Sequence, residues 1–555
     1  MSSLLFFALL APAAEPAVAA DLVVHNGKVW TGDPARPEVQ AVAVWRDRIL
    51  KVGTDAEVKA LAGANTRLID LKGGRLVPGF YDSHVHFLSG GQSLSHVDLK
   101  DAKDEAEFGK RLVAFDKNTP RERWLVGGLW DHDRTFGGAL PTFETLDKFV
   151  KDRPVFVQRY DGHMGLANSA ALKRAGITAD TKDPPGGVIY RLADGKTPSG
   201  ILKDNAMALV ERFIPEPNDE EILEAVLAAQ KALAENGVTS VQDLDGSGAE
   251  TRRKLFRVYQ RLAHEGKLTC RIDLRWPLGA YRELSTTGTT ADFGNDFVRI
   301  GGVKGFMDGS LGSSTAKMFE PYTSDEKNTG VYVTAPDTMR SLIRSADAAG
   351  LNVCVHAIGD QANAVLLDLF ADVAKQNGSR DRRFRVEHVQ HLRPQDYPRF
   401  KELNVIASMQ PYHVIDDGRW AQGRIGAKRC ASSYAYRSLL DAGAKLAFGS
   451  DWPVAPLDVL AGVDAAVNRR TLDGKHPNGW FPDQRITVAE AVAAYTTGSA
   501  FAAHQEKDRG SIEAGKLADF VLLSRDVFAP AERDRIAETK VLLTVVGGKV
   551  VFERK

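Results

Sequence analysis

A chain of 555 residues with 43% hydrophobic and 26% charged side chains exceeds what one core holds, since single cores stop growing near about 250–300 residues. Its 72 basic residues balance 72 acidic ones with no run of five like charges, which argues against a nucleic-acid partner. Past the N-terminus no apolar stretch is long enough to cross a bilayer, and Cys270, Cys354 and Cys430 are too scattered for a disulfide framework.

Residues 1–20 read as an export leader: Leu4 to Ala14 is apolar, and Ala17-Val18-Ala19 offers signal peptidase a site. No Lys or Arg precedes the apolar run, so the alternative is an uncleaved leader on a cytoplasmic protein; the leader as a whole favours a periplasmic or secreted one. Residues 21–75 alternate short β-prone runs with turns. The same texture returns over 505–555, where Leu542 to Phe552 reads as a hairpin around Gly547-Gly548. Both ends are therefore expected to build one small β-sandwich domain.

Between them, over 76–504, a helical pattern, a Gly or Asn stop and a short apolar strand recur, as in Ile222 to Glu235, Asn236-Gly237 and Val238 to Val241. Candidate strands are Leu76 to Phe80, Val238 to Gln242, Arg271 to Trp276, Val298 to Met307, Asn352 to Ala357, Phe384 to Val389, Val405 to Met409 and Lys445 to Gly449. Eight such strands alternating with helices predict an α/β fold, a (β/α)8 TIM barrel, and no Gly-rich phosphate loop favours an open doubly wound sheet. Residues 87–215 are too many for one loop and predict an inserted subdomain after the first strand. Cys354, within an apolar strand, reads as core.

Metal-capable side chains fall at or just past the ends of these strands, the face where barrel enzymes build active sites. His84 and His86 follow the first strand, and their spacing of two puts both rings on one side of extended chain. His356, His388 and Asp451 end three further strands. One such residue is ordinary; four strand exits carrying one each are not. Lys304 alternates onto the face of Phe306 and Asp308. If that face is buried, the ammonium is destabilised, and a neutral amine can add carbon dioxide to become a carbamate bridging two metals. An ion pair with Asp308 is the alternative.

Taken together, Val77-Pro78-Gly79-Phe80-Tyr81-Asp82-Ser83-His84-Val85-His86, Lys304 through Asp308-Gly309-Ser310, His356-Ala357-Ile358-Gly359-Asp360, Glu387-His388 and Gly449-Ser450-Asp451-Trp452-Pro453 resemble the amidohydrolase superfamily. Asp161-Gly162-His163 with Asn168-Ser169-Ala170, and Gly515-Lys516-Leu517-Ala518-Asp519, narrow the likeness to its YtcJ-like group, which includes N-substituted formamide deformylase. The resemblance implies that His84 and His86 bind the more buried of two divalent metals, that carboxylated Lys304 bridges, and that His356 and His388 bind the second. It further implies that Asp451 touches the first metal and handles protons. Zinc is the default for such donors.

Hydroxide formed between the metals would attack an amide or formamide carbonyl. Trp130, His163, Tyr412, His413 and Trp452 are candidates for binding a small-molecule amide substrate, or else pack the insertion onto the barrel. The alternatives are lactone or phosphoester hydrolysis, isomerisation, or a catalytically dead periplasmic binding protein. A homodimer is one assembly the sequence leaves open.

Overall fold

The structure is a computed structural model that describes residues 19–94, 96–246 and 248–555. The expected leader lies outside the described residues, apart from Ala19 and Ala20. At its centre eight parallel strands follow one another in chain order: β1 (Phe80–Val85), β2 (Val238–Asp243), β3 (Arg271–Pro277), β4 (Val298–Phe306), β5 (Val353–Ala357), β6 (Arg385–His388), β7 (Ile406–Met409) and β8 (Lys445–Phe448). These strands are buried on both faces, polar positions such as Asp82, Ser83, Thr239 and Gln242 included, so no apolar–polar alternation marks an outer face. Just beyond the strand ends the ring closes through Asp451 N donating to His84 O at 2.7 Å and His86 N to Trp452 O at 2.9 Å.

The crossover helix Asp219–Glu235 shows why the alternation was readable. Asn218 caps it in a reciprocal box with Glu221, and Ile222, Val226, Ala229 and Leu233 form its buried stripe. Asn236 and the left-handed Gly237 then turn the chain into β2.

Gly449, just past β8, holds the closing strands together. A Cβ there would stand 2.5 Å from His84 N and 2.7 Å from Asp82 Oδ1, so only glycine lets the two chains approach this closely. Gly449→Ala should therefore destabilise the protein by ~1–3 kcal/mol in urea titration and reduce its metal content, because the clash displaces His84.

The first barrel strand was expected at Leu76 to Phe80, and the structure moves it. Arg75–Pro78 instead pairs with Lys28–Trp30 and with Phe520–Leu523, while β1 starts at Phe80. Leu76-Val77 and Phe80-Tyr81 are alike in being apolar and buried, so periodicity gives no boundary between them. The break comes at Gly79, whose missing side chain lets Thr239 Oγ1 approach to within 2.2 Å of where a Cβ would be.

Arg75–Pro78 thus belongs to a six-stranded sheet with Glu38–Val39, Lys28–Trp30, Phe520–Leu523, Val541–Val546 and Lys549–Glu553. It faces a four-stranded sheet of Arg48–Gly53, Ala41–Trp45, Ala20–His25 and Ala62–Asp70 across Val24, Val42, Leu76, Phe520 and Val545. A buried bidentate pair joins this region to the barrel: Arg271 donates from Nε and Nη2 to Asp519 at 2.7 and 2.9 Å. Burial alone would raise the Asp519 carboxyl, but Arg271 holds it below its ordinary value. Its contribution to stability is present above the unfolded-state pKa and is lost as pH falls through the depressed folded value. Asp519→Ala, which leaves Arg271 buried and unpaired, should cost ~3–5 kcal/mol in denaturant unfolding at neutral pH.

Between β1 and β2 the chain forms a mixed sheet in the order Gly187–Arg191, Pro198–Asp204, Met164–Ala167, Val155–Arg159, Leu125–Trp130 and Val97–Asp98, with apolar clusters around Leu125 and Phe156. Its loop at Asp161 is pinned to the barrel loop after β4. Ser310 and Ser313 donate to Asp161 Oδ2 at 2.6 and 3.2 Å, and Arg159 Nη1 lies 2.8 Å from it.

Candidate metal centre

Strand ends bring His84, His86, Lys304, His356, His388 and Asp451 to one mouth of the barrel. Asp451 Oδ1 lies 3.1 Å from His86 Nε2 and 3.3 Å from His84 Nε2, and its Oδ2 is 3.9 Å from His388 Nδ1. The rings of His84 and His388 stand 4.8 Å apart, and those of His388 and His356 4.5 Å. One ligand atom each from His84, His388 and Asp451 falls within a 4.8 Å cluster. Burial drives the imidazoles of His356 and His388 well below their usual pKa, leaving neutral rings with lone pairs to give. His84 Nε2, His388 Nδ1, Asp451 Oδ1 and Lys304 Nζ are buried without a hydrogen-bond partner among the described residues. Such atoms are costly unless something binds them, and the donor set of neutral imidazoles with a carboxylate fits divalent cations.

His388, Val389 and Asp451 hold left-handed backbone at φ 77°, 49° and 62°. For residues with a side chain this conformation costs ~1–3 kcal/mol each, and two of these three, His388 and Asp451, are candidate ligands.

A second layer sets the ligand tautomers. Arg385 Nη2 lies 2.7 Å from Glu387 Oε1. Although burial pushes the Glu387 carboxyl up, Arg385 and His84 hold it far below the carboxylate range. An ionised Glu387 can only accept, so His84 donates Nδ1–H to Oε2 at 2.8 Å, which leaves its Nε2 facing Asp451 Oδ1 at 3.3 Å. Glu387→Gln should weaken metal affinity about 10–100-fold, measured by chelator competition.

Lys304 is enclosed, and burial lowers the pKa of its amine. Its Nζ lies 4.6 Å from the Phe306 ring centroid and makes no ion pair with Asp308. Asp308 instead accepts from Ile358 N, Gly359 N and Lys317 N at 2.8–3.0 Å, tying the loops after β4 and β5 together. Burial pushes its carboxyl up to about 7.

His163, carried by the pinned loop, has its ring 5.2 Å from that of His356 and tilted 51° to it, and its Nδ1 shares a 2.7 Å hydrogen bond with Asp204. His413 Nε2 lies 3.7 Å from Asp451 Oδ2. Tyr412 opens the short helix Tyr412–Asp417 beside it.

A family model described as the amidohydrolase family matches residues 67–552. The chain belongs to the amidohydrolase family. Over nearly its whole length this amidohydrolase is 39% identical to Protein LONG AFTER FAR-RED 3 of Arabidopsis thaliana, covering 99% of this chain and 94% of the relative. It is 32% identical to the amidohydrolase YtcJ of Bacillus subtilis (96% and 99%) and 27% identical to N-substituted formamide deformylase of Arthrobacter pascens (96% and 98%). An uncharacterized metal-dependent hydrolase from Pyrococcus horikoshii superposes with a TM-score of 0.75 at 29% identity, covering 93% of this chain and 99% of that one.

Of the expected substrate residues of the amidohydrolase, Trp130 is enclosed away from the cluster and Trp452 packs beside it. Trp130 lies in the core of the insertion, its indole N–H donated to Val157 O at 2.8 Å. Trp452 packs on the helix Phe87–Ser93, where a Cβ at Gly90 would meet its ring at 2.2 Å. A further cluster, Asp131, His132 and Asp133, already holds a cation: Arg159 Nε contacts His132 Nδ1 at 3.1 Å, and its Nη2 lies 3.5 Å from Asp133.

Proposed function

We propose that this amidohydrolase cleaves the C–N bond of a small amide or formamide. The observation that carries the reading is Asp451, a carboxylate set among His84, His86, His388 and His413 at the barrel mouth. Burial would raise its pKa, but the facing imidazoles, His84 first, hold it well below the usual range, so it is an ionised base. Two divalent cations, zinc by donor chemistry, held by His84, His86, carboxylated Lys304, His356, His388 and Asp451, would bring the pKa of a shared water toward about 7 and polarise the scissile carbonyl.

Asp451 takes the proton of the attacking water and returns it to the departing nitrogen. Arg385 and Glu387 keep His84 in one tautomer throughout. His163, its Nδ1 held on Asp204, offers Nε2 to the substrate beside His356. The deformylase name of one relative supports a formamide as the bond cleaved.

The test is a matched panel of amides, formamides, lactones and phosphotriesters with zinc-loaded protein. Turnover confined to amides and formamides is expected, and a preference for the lactone or phosphotriester overturns the reading. The apolar leader, Leu4 to Ala14, supports export, which cell fractionation checks.

A further inference from the structure

A cavity of about 390 Å³ lies where the insertion meets the barrel, walled on one side by Lys100 and Tyr160 and on the other by Tyr412 and Asp416. Two links tie its wall to the metal centre. Tyr412 precedes His413, which faces Asp451, and Lys100 Nζ donates at 2.7 Å to the carbonyl of Val454, three residues past Asp451.

The charges in its wall are matched with one exception. Arg419 pairs with Asp416 and, at 3.2 Å, with Asp131. Arg134 pairs with Asp101 at 3.2 Å, and Asp473 with Lys475 at 3.2 Å. Lys100 alone has no carboxylate within 4.0 Å among the described residues. Its ammonium makes a single hydrogen bond, to Val454 O, and lies 5.9 Å from the Tyr160 ring centroid. A half-buried ammonium with spare donors and no counter-ion in contact, Asp416 and Asp101 acting on it only from farther off, is well placed to take an anionic group of a bound molecule. The tyrosine rings on either side supply apolar walls for the stem of such a molecule.

We infer that this cavity receives the part of the substrate remote from the scissile bond, and that Lys100 selects small amides bearing a carboxylate there. The inference rests on the amide reading above and names the substrate class of the same site. Lys100 acts in binding and exchanges no proton with the substrate, so its removal should appear in selectivity.

The experiment compares zinc-loaded wild type, Lys100→Met, Lys100→Arg and Lys100→Glu on pairs of formamides of equal length. N-formyl-β-alanine is set against N-formylpropylamine, and N-formyl-6-aminohexanoate against N-formylhexylamine. Wild type should favour the carboxylate member of at least one pair by about tenfold or more in kcat/KM, the scale of one charge-assisted hydrogen bond. Lys100→Met should bring that ratio near one chiefly through KM, Lys100→Arg should preserve the preference, and Lys100→Glu should reverse it. Lys110→Met, on the exposed side of helix Glu105–Asn118, serves as the control that leaves the ratio intact. A folded, zinc-containing Lys100→Met or Lys100→Glu protein that keeps the wild-type preference overturns the inference, as does a wild type without preference.

If wild type turns over none of the four formamides, the amide reading fails separately, and calorimetric titration with the same compounds decides this one. Tighter binding of the carboxylate members by wild type than by Lys100→Met supports it, and equal binding by the two proteins overturns it.

Discussion

An Asp451→Asn protein should fold and bind substrate yet turn it over about 10²–10⁴-fold more slowly, the range that a positioned acid–base group supplies. The amide has the shape of the carboxylate but cannot accept the proton of the attacking water, and with nothing accepted there is nothing to return to the leaving nitrogen. The loss should fall on kcat more than KM, because the groups proposed to hold the substrate, His163 and Lys100, are untouched. Asp451 is also a candidate ligand, so metal content must be measured on the same sample. A two-metal Asn variant of normal activity would remove Asp451 from the mechanism. Metal lost in step with activity would make it a ligand first.

Lys304→Ala should lose at least one metal ion and about 10³-fold in kcat/KM, equivalent to several kcal/mol of transition-state charge stabilisation. The buried amine has no hydrogen-bond partner among the described residues, and burial lowers its pKa, which favours the neutral nucleophile that carbon dioxide requires. Metal loading of the wild type should accordingly rise with added bicarbonate, and the intact mass should show one carbon dioxide retained. Lys304→Glu, which brings its own carboxylate, should recover part of the metal content. If Lys304→Ala keeps two metals and full activity, the ligand set shrinks to the four histidines and Asp451, and only solvent is left to bridge.

The barrel was legible because its rules are local. Apolar runs, Gly or Asn stops and capping residues such as Asn218 recur along it, and the candidate ligands sit near where those runs end. Lys304, by contrast, owed its role to family likeness, since its strand pattern fitted an ion pair with Asp308 equally well. The structure gives Asp308 three backbone N–H partners and so leaves Lys304 free of it.

What stayed hidden depends on contacts between distant segments. Leu76 and Phe80 look alike in sequence, and only pairing with Phe520–Leu523 assigns Arg75–Pro78 to a different sheet. Trp130 was placed near the substrate for its aromaticity, but the packing of the insertion encloses it. Arg385 and Glu387 did leave a signal, because two charges at alternate positions of an apolar strand must share one buried face. Lys100 left none: its lack of a counter-ion is a property of the cavity rather than of any sequence window.

The pairing of Arg75–Pro78 with Phe520–Leu523 also sets a timetable for synthesis. The earlier strand leaves the ribosome more than 400 residues before its neighbour exists. At about 5–20 residues per second it waits on the order of 20–90 s. Through that interval an apolar edge stays open while the barrel assembles downstream, which makes the nascent chain a client for whatever shields exposed strands. A chain truncated before Phe520 would have all its barrel residues present while its outer sheet lacked three of its six strands.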